Sequence, residues 1–141
     1  GFAHTLPAVN RWTHGTQVTA SHGHMAFFGA YAMLIITTIY YALPKLKGLE
    51  QWNQKRGFWA FWITTISMAV MGLAFGVAGV IQSYMQRGLG MDFLMVQGFM
   101  RPWFMVVFFG GLGLFIGVII YVTDVLKLAS RKISSELGLT K

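Results

Sequence analysis

Residues 19–43 read TASHGHMAFFGAYAMLIITTIYYAL, a stretch without a single Asp, Glu, Lys or Arg. The hydrocarbon core of a bilayer needs about 20 apolar residues in helical form, so this stretch is read as a transmembrane helix. Pro44, which has no amide hydrogen to donate, is expected to end it. His22 and His24 stand at its mouth. In a helix, residues two apart differ by roughly 200° around the axis and about 3 Å along it, so the two rings face opposite ways. One metal ion cannot be gripped by both, because helical chelation uses neighbours three or four apart. Two separate prosthetic groups, one on each side, can be held.

Outward from this run the pattern repeats. No Asp, Glu, Lys or Arg lies between Arg11 and Lys45, between Arg56 and Arg87, or between Arg101 and Asp124. Only 11% of the chain is charged and 55% is hydrophobic, a balance that belongs in lipid and not in a soluble domain. The expected fold is all-α and polytopic: transmembrane helices over 19–43, 58–85 and 102–123, with Pro102 at a helix start, a position that proline tolerates. Residues 1–18 are read as an irregular interfacial segment, where Trp12 is at home. Residues 44–57 and 86–101 are read as loops, and 124–141 as a polar tail that continues the last helix for some turns.

The net charge of +7 does not point to nucleic acid, because the cations sit in connections beside the spans and form no stripe on a polar domain. Lys and Arg number one before the first span, four in the first connection, two in the second and four in the tail. By the positive-inside rule, residues 44–57 and 124–141 are cytoplasmic. Residues 1–18, the loop 86–101 and the histidine pair then lie toward the periplasm. Cysteine is absent, which removes disulfides, Cys-ligated zinc and thiolate chemistry. The chain opens on Gly1 with no basic leader and reads as a piece of something longer.

Gly72 with Gly76, and Gly113 with Gly117, are spaced four apart within spans and are read as packing faces. The nine Met residues show no recurring spacing and are read as ordinary gap-fillers, not as a copper path. No Ser-His-acid grouping, paired carboxylates or P-loop occurs, so a metal cofactor must carry any chemistry. All four histidines, His4, His14, His22 and His24, lie in the first sixth of the chain. A histidine inside a membrane is a functional hypothesis by default, and two on opposite faces of an apolar helix need two partners. Gly23 leaves room for flat groups on both flanks, and haem meets that demand because His is a common axial iron ligand. His14 precedes the span by about one turn and is placed to contact haem propionates. His4 ranks below it.

The stretch from Thr13 to Tyr31, THGTQVTASHGHMAFFGAY, resembles the tenth transmembrane helix of the large subunit of bacterial cytochrome c-dependent nitric oxide reductase, in the haem-copper oxidase superfamily. Tyr41-Ala42-Leu43-Pro44 and the basic loop after it look like that subunit's connection into helix eleven. The resemblance implies that the chain is the C-terminal part of a twelve-helix subunit. It also implies two haem b groups, with His22 ligating the high-spin iron and His24 the low-spin iron. Partners implied are the remaining helices, a c-type cytochrome subunit and membrane lipid, in a bacterial inner membrane. The non-haem iron of that family has its ligands on earlier helices, which this sequence lacks, so the fragment alone is not expected to be active. Two rival readings are a fragment of an oxygen-reducing haem-copper oxidase and a small, non-enzymatic three-span haem-binding protein.

Overall fold

The computed structural model describes residues 1–49 and 54–130, and among them every regular element is helical. Two short helices, α1 (Phe2–Thr5) and α2 (Pro7–Thr13), precede α3 (Gln17–Ala26). A π-helical turn, Phe27–Ala32, joins α3 to α4 (Met33–Leu46). Then come α5 (Lys55–Ser83), a second π turn (Tyr84–Gly88) and α6 (Phe93–Ser130). Three stretches are long and apolar enough to cross a membrane: Gln17–Leu46, Lys55–Gly88 and Phe93–Ala129. The three expected spans are therefore present, and the differences lie at their ends.

Residues 1–18 are mostly helical, not irregular. Pro7 opens α2, where its missing N–H costs nothing. Pro44 lies inside α4, which continues to Leu46. The stop is instead a Schellman motif: Gly48 takes φ +66°, Leu49 N donates to Pro44 O at 3.0 Å and Gly48 N to Lys45 O at 3.1 Å. Glycine supplies the left-handed residue that closes such a cap. Pro102 likewise lies inside α6. That helix begins nine residues earlier because Asp92 accepts from Leu94 N at 2.9 Å through its side chain, as an N-cap does. The residue whose carbonyl the Pro102 ring approaches is Gly98, which carries no Cβ. Arg101 is thus helical, and the second connection shrinks to a few residues. The tail remains helical as far as Ser130; residues 131–141 and 50–53 lie outside the described part.

α5 is the central element, with α3 against one side and α6 against another. The glycine spacings mark both contacts. A Cβ added at Gly72 would lie 2.6 Å from Met25 Cγ, and one at Gly79 would collide with the backbone of Val18. On α6, a Cβ at Gly110 would come within 3.1 Å of Met71 Cβ, and one at Gly117 within 3.2 Å of Thr64 N. Close backbone approach is what small residues permit between apolar helices, where dispersion packing holds the helices together. A small apolar core of Ala78, Val96 and Met100 closes the end of α5 and α6 nearest the histidines.

At the other end the lock is polar. Tyr40 OH donates to Asp124 Oδ2 at 2.9 Å. Arg56 Nε lies 3.6 Å from Asp124 Oδ1, and Arg56 Nη2 donates to Thr123 Oγ1 at 3.0 Å. Asp124, expected to begin a solvated tail, is only 7% exposed and ties all three spans together.

Candidate functional site

The local sequence fixes where the histidine helix starts. Gly15 takes φ +71°, and Thr16 then caps α3 by accepting from Val18 N. Thr16 Oγ also donates to Thr13 O at 2.7 Å. Side chains from the end of α5 and the turn after it hold the segment down: Gln17 N donates to Gln82 Oε1 at 2.9 Å, and Ser83 Oγ donates to Trp12 O at 2.6 Å. Arg87 donates to Arg11 O and, at 2.6 Å, to His14 O. One turn into α3, Ser21 Oγ donates to Gly72 O at 2.7 Å. Val18, Ser21 and Met25 therefore form the face of α3 that meets α5. At about 100° per residue, His22 and His24 fall on the two flanks of that face.

The two rings share no contact. His24 stacks on Phe75 of α5, with ring centroids 5.1 Å apart and planes 28° apart. Its Nδ1 lies 2.8 Å from Ala20 O. A carbonyl can only accept, so Nδ1 carries the proton, and in the neutral ring Nε2 has the lone pair. That is the tautomer a metal-ligating histidine needs, with the second nitrogen fixed by an acceptor. His24 lines an open, apolar cleft of about 590 Å³ together with Ala20, Gly23, Phe27, Phe28, Ala32 and Met68. A Cβ added at Gly23 meets nothing within 4 Å. A flat, apolar prosthetic group held through one imidazole fits these residues.

His22 has different company. Its ring centroid is 5.3 Å from that of His4, and Gly1 N lies 3.5 Å from its Nδ1. A Cβ at Gly1 would be 3.7 Å from His22 Nε2, so Gly1 and His4 lie beside the His22 ring. His4 is held by Thr13, its Nδ1 being 3.0 Å from Thr13 Oγ1. The sequence ranked His4 last, yet it is the ring nearest His22. His14 ends α2; its carbonyl is fixed by Arg87, and the residue itself is exposed. Among the described residues, no three His, Cys, Asp or Glu side chains come together as a metal site. Phe75 and Met68 had no local signal in the sequence, because they come from another span.

The family model for cytochrome c and quinol oxidase polypeptide I matches residues 1–113. The chain is 43% identical over 129 residues to a nitric oxide reductase subunit of Stutzerimonas stutzeri, covering 86% of this chain and 27% of that protein. It is 29% identical over 128 residues to a cytochrome c oxidase subunit 1 homolog of Agrobacterium tumefaciens (strain T37), covering 86% and 24%. It is also 29% identical over 122 residues to the cbb3-type cytochrome c oxidase subunit CcoN1 of Stutzerimonas stutzeri, covering 82% and 26%. The chain spans about a quarter of the length of these relatives. With its three apolar helices it is part of a multi-pass membrane protein, and it belongs to the cytochrome c and quinol oxidase polypeptide I family.

Proposed function

We propose that the chain is the C-terminal, haem-ligating part of the catalytic subunit of a nitric oxide reductase. The observation that carries this is the 43% identity to the nitric oxide reductase relative, against 29% for the oxidase subunits over stretches of similar length. In this reading His24 holds the low-spin haem b iron through Nε2, with Ala20 O fixing its tautomer and Phe75 its ring plane. His22 would hold the high-spin haem b iron. Bound haem supplies the redox chemistry, by which two NO, two electrons and two protons give N2O and water.

The part played by this chain is geometric. One helix fixes both imidazoles, so their separation is set by backbone and not by mobile loops. Gly23 keeps the flanks clear. His14, whose carbonyl accepts from Arg87 at the helix entrance, would contact the haem propionates. The positive-inside count supports histidines toward the periplasm, in this reading of a bacterial inner membrane, the side on which a c-type cytochrome partner would deliver electrons.

The test uses the full-length subunit with its haems. His24→Ala is expected to remove the low-spin haem spectrum, and His22→Ala to abolish NO consumption while sparing that spectrum. Unchanged spectra in both variants would sink the assignment. Oxygen uptake without NO uptake by the unaltered enzyme would favour the oxidase reading, which the similarity to oxidase subunits keeps in view.

A further inference from the structure

We infer that the first span carries one residue more than its packing requires, and that the surplus residue is used to shape the cleft beside His24. Ser21 meets α5 through Gly72 O. Tyr40, nineteen residues later, meets Asp124 of α6, and its ring would collide with a Cβ at Gly57 of α5. In an uninterrupted α-helix nineteen steps of about 100° would leave Tyr40 about 100° round from Ser21. It would then point away from both partners.

The π turn Phe27–Ala32 lies between them. A π turn closes its hydrogen bonds from i to i+5 and so takes up one residue without advancing the phase of the helix. The eighteen steps that remain amount to about 1,800°, five whole turns, which brings Tyr40 into line with Ser21. Met33, Ile36 and Thr37 share that line, and with Tyr40 they face Gly57 and Phe61 of α5 across a cavity of about 250 Å³.

A plain α-helix one residue shorter would place Tyr40 equally well, so packing gives no reason for the π turn. Its location does. Phe27, Phe28 and Ala32, the first, second and last residues of the turn, line the His24 cleft. These three are specificity-determining for whatever lies against His24, while Tyr40 and Asp124 hold the phase of the rod.

The consequence is an asymmetry between deletion and insertion. Removing Gly29, where an added Cβ meets nothing within 4 Å, turns the segment into ordinary α-helix and keeps Tyr40 on Asp124. Inserting an alanine after Gly29 rotates Tyr40 by about 100°. In the full-length, haem-loaded subunit, Tyr40→Phe and Asp124→Ala are made singly and together in three backgrounds: unaltered, Gly29 deleted, and alanine inserted. Their effects on Tm are expected to be non-additive in the first two backgrounds and additive in the third. Deletion is also expected to shift the low-spin haem bands without loss of ligation by His24.

Loss of non-additivity, or of folding, on deleting Gly29 overturns the inference. So does non-additivity that survives the insertion, or a low-spin spectrum that the deletion leaves untouched. If the inserted protein does not fold, the deletion decides by itself. The spectroscopic part rests on the reading of His24 as a haem ligand; the coupling of Tyr40 to Asp124 does not. A low-spin spectrum that survives His24→Ala overturns the haem assignment and with it the role of the cleft, while non-additivity retained on deletion still supports the surplus residue.

Discussion

Gly79 of α5 lies so close to Val18 of α3 that the two backbones touch, with no side chain between them. This contact, together with Ser21 on Gly72, sets how near the histidine helix comes to its neighbour. Gly76, between them on the same stripe, is looser: an added Cβ would lie 3.6 Å from Ser21 Oγ, an ordinary contact. Gly79→Ala is therefore expected to cost about 1–3 kcal/mol, because backbone cannot be repacked as a flexible side chain can. Gly76→Ala should be neutral or stabilise by up to about 1 kcal/mol through helix propensity. Thermal unfolding in detergent checks both, and equal losses at the two sites would show that the backbone contact is not the limiting one.

Gly23 yields opposite signs for stability and for cofactor. In mid-helix with open space around it, Gly23→Ala should stabilise the protein without haem by about 0.5–1 kcal/mol through helix propensity. The same methyl group stands in the gap beside His24 and is expected to lower haem content. Haem-to-protein ratio and the Tm of haem-free protein give the two readouts; a rise in both would show that Gly23 is not clearance for a prosthetic group.

Ser83 is buried and donates to Trp12 O. Ser83→Ala should cost about 1 kcal/mol, the usual net worth of such a bond. Arg87→Ala is expected to leave global stability nearly unchanged, since Arg87 is exposed. It should nonetheless speed hydrogen exchange over residues 11–16, where it holds the carbonyls of Arg11 and His14. Unchanged exchange in the Arg87 variant would mean that α2 is kept in place without it.

At the polar lock the partner to lose with care is the cation. Arg56→Leu leaves the Asp124 carboxylate, 9% exposed at its side chain, with Tyr40 but without its counter-charge. Asp124→Leu leaves a guanidinium that is 45% exposed and can turn to water. The first is expected to cost about 2 kcal/mol and the second about 1, after discounting for solvent screening. The reverse order in thermal unfolding would mean that Arg56 contributes little to holding Asp124.

Much of this molecule is legible along the chain. The charge-free gaps give three spans because hydropathy sums locally and a helix must satisfy its own backbone in lipid. The histidine spacing gives diverging rings because helical phase is fixed by residue number. The spaced glycines at Gly72, Gly76, Gly113 and Gly117 mark helix contacts for the same reason. Two proline readings went astray, at Pro44 and Pro102, because the true boundaries were set by Gly48 and Asp92. The local rule that proline breaks helices yielded there to stronger capping nearby.

What sequence alone determined, then, is the set of membrane helices and the opposed placement of His22 and His24 on one of them. Only the tertiary structure decided that Phe75 stacks on His24, that His4 lies beside His22, and that Asp124 is a buried tie and not the start of a tail. Each of those partners comes from another helix, and pairing between helices depends on crossing and rotational phase. Hydropathy is blind to phase, and a single π turn is enough to shift it.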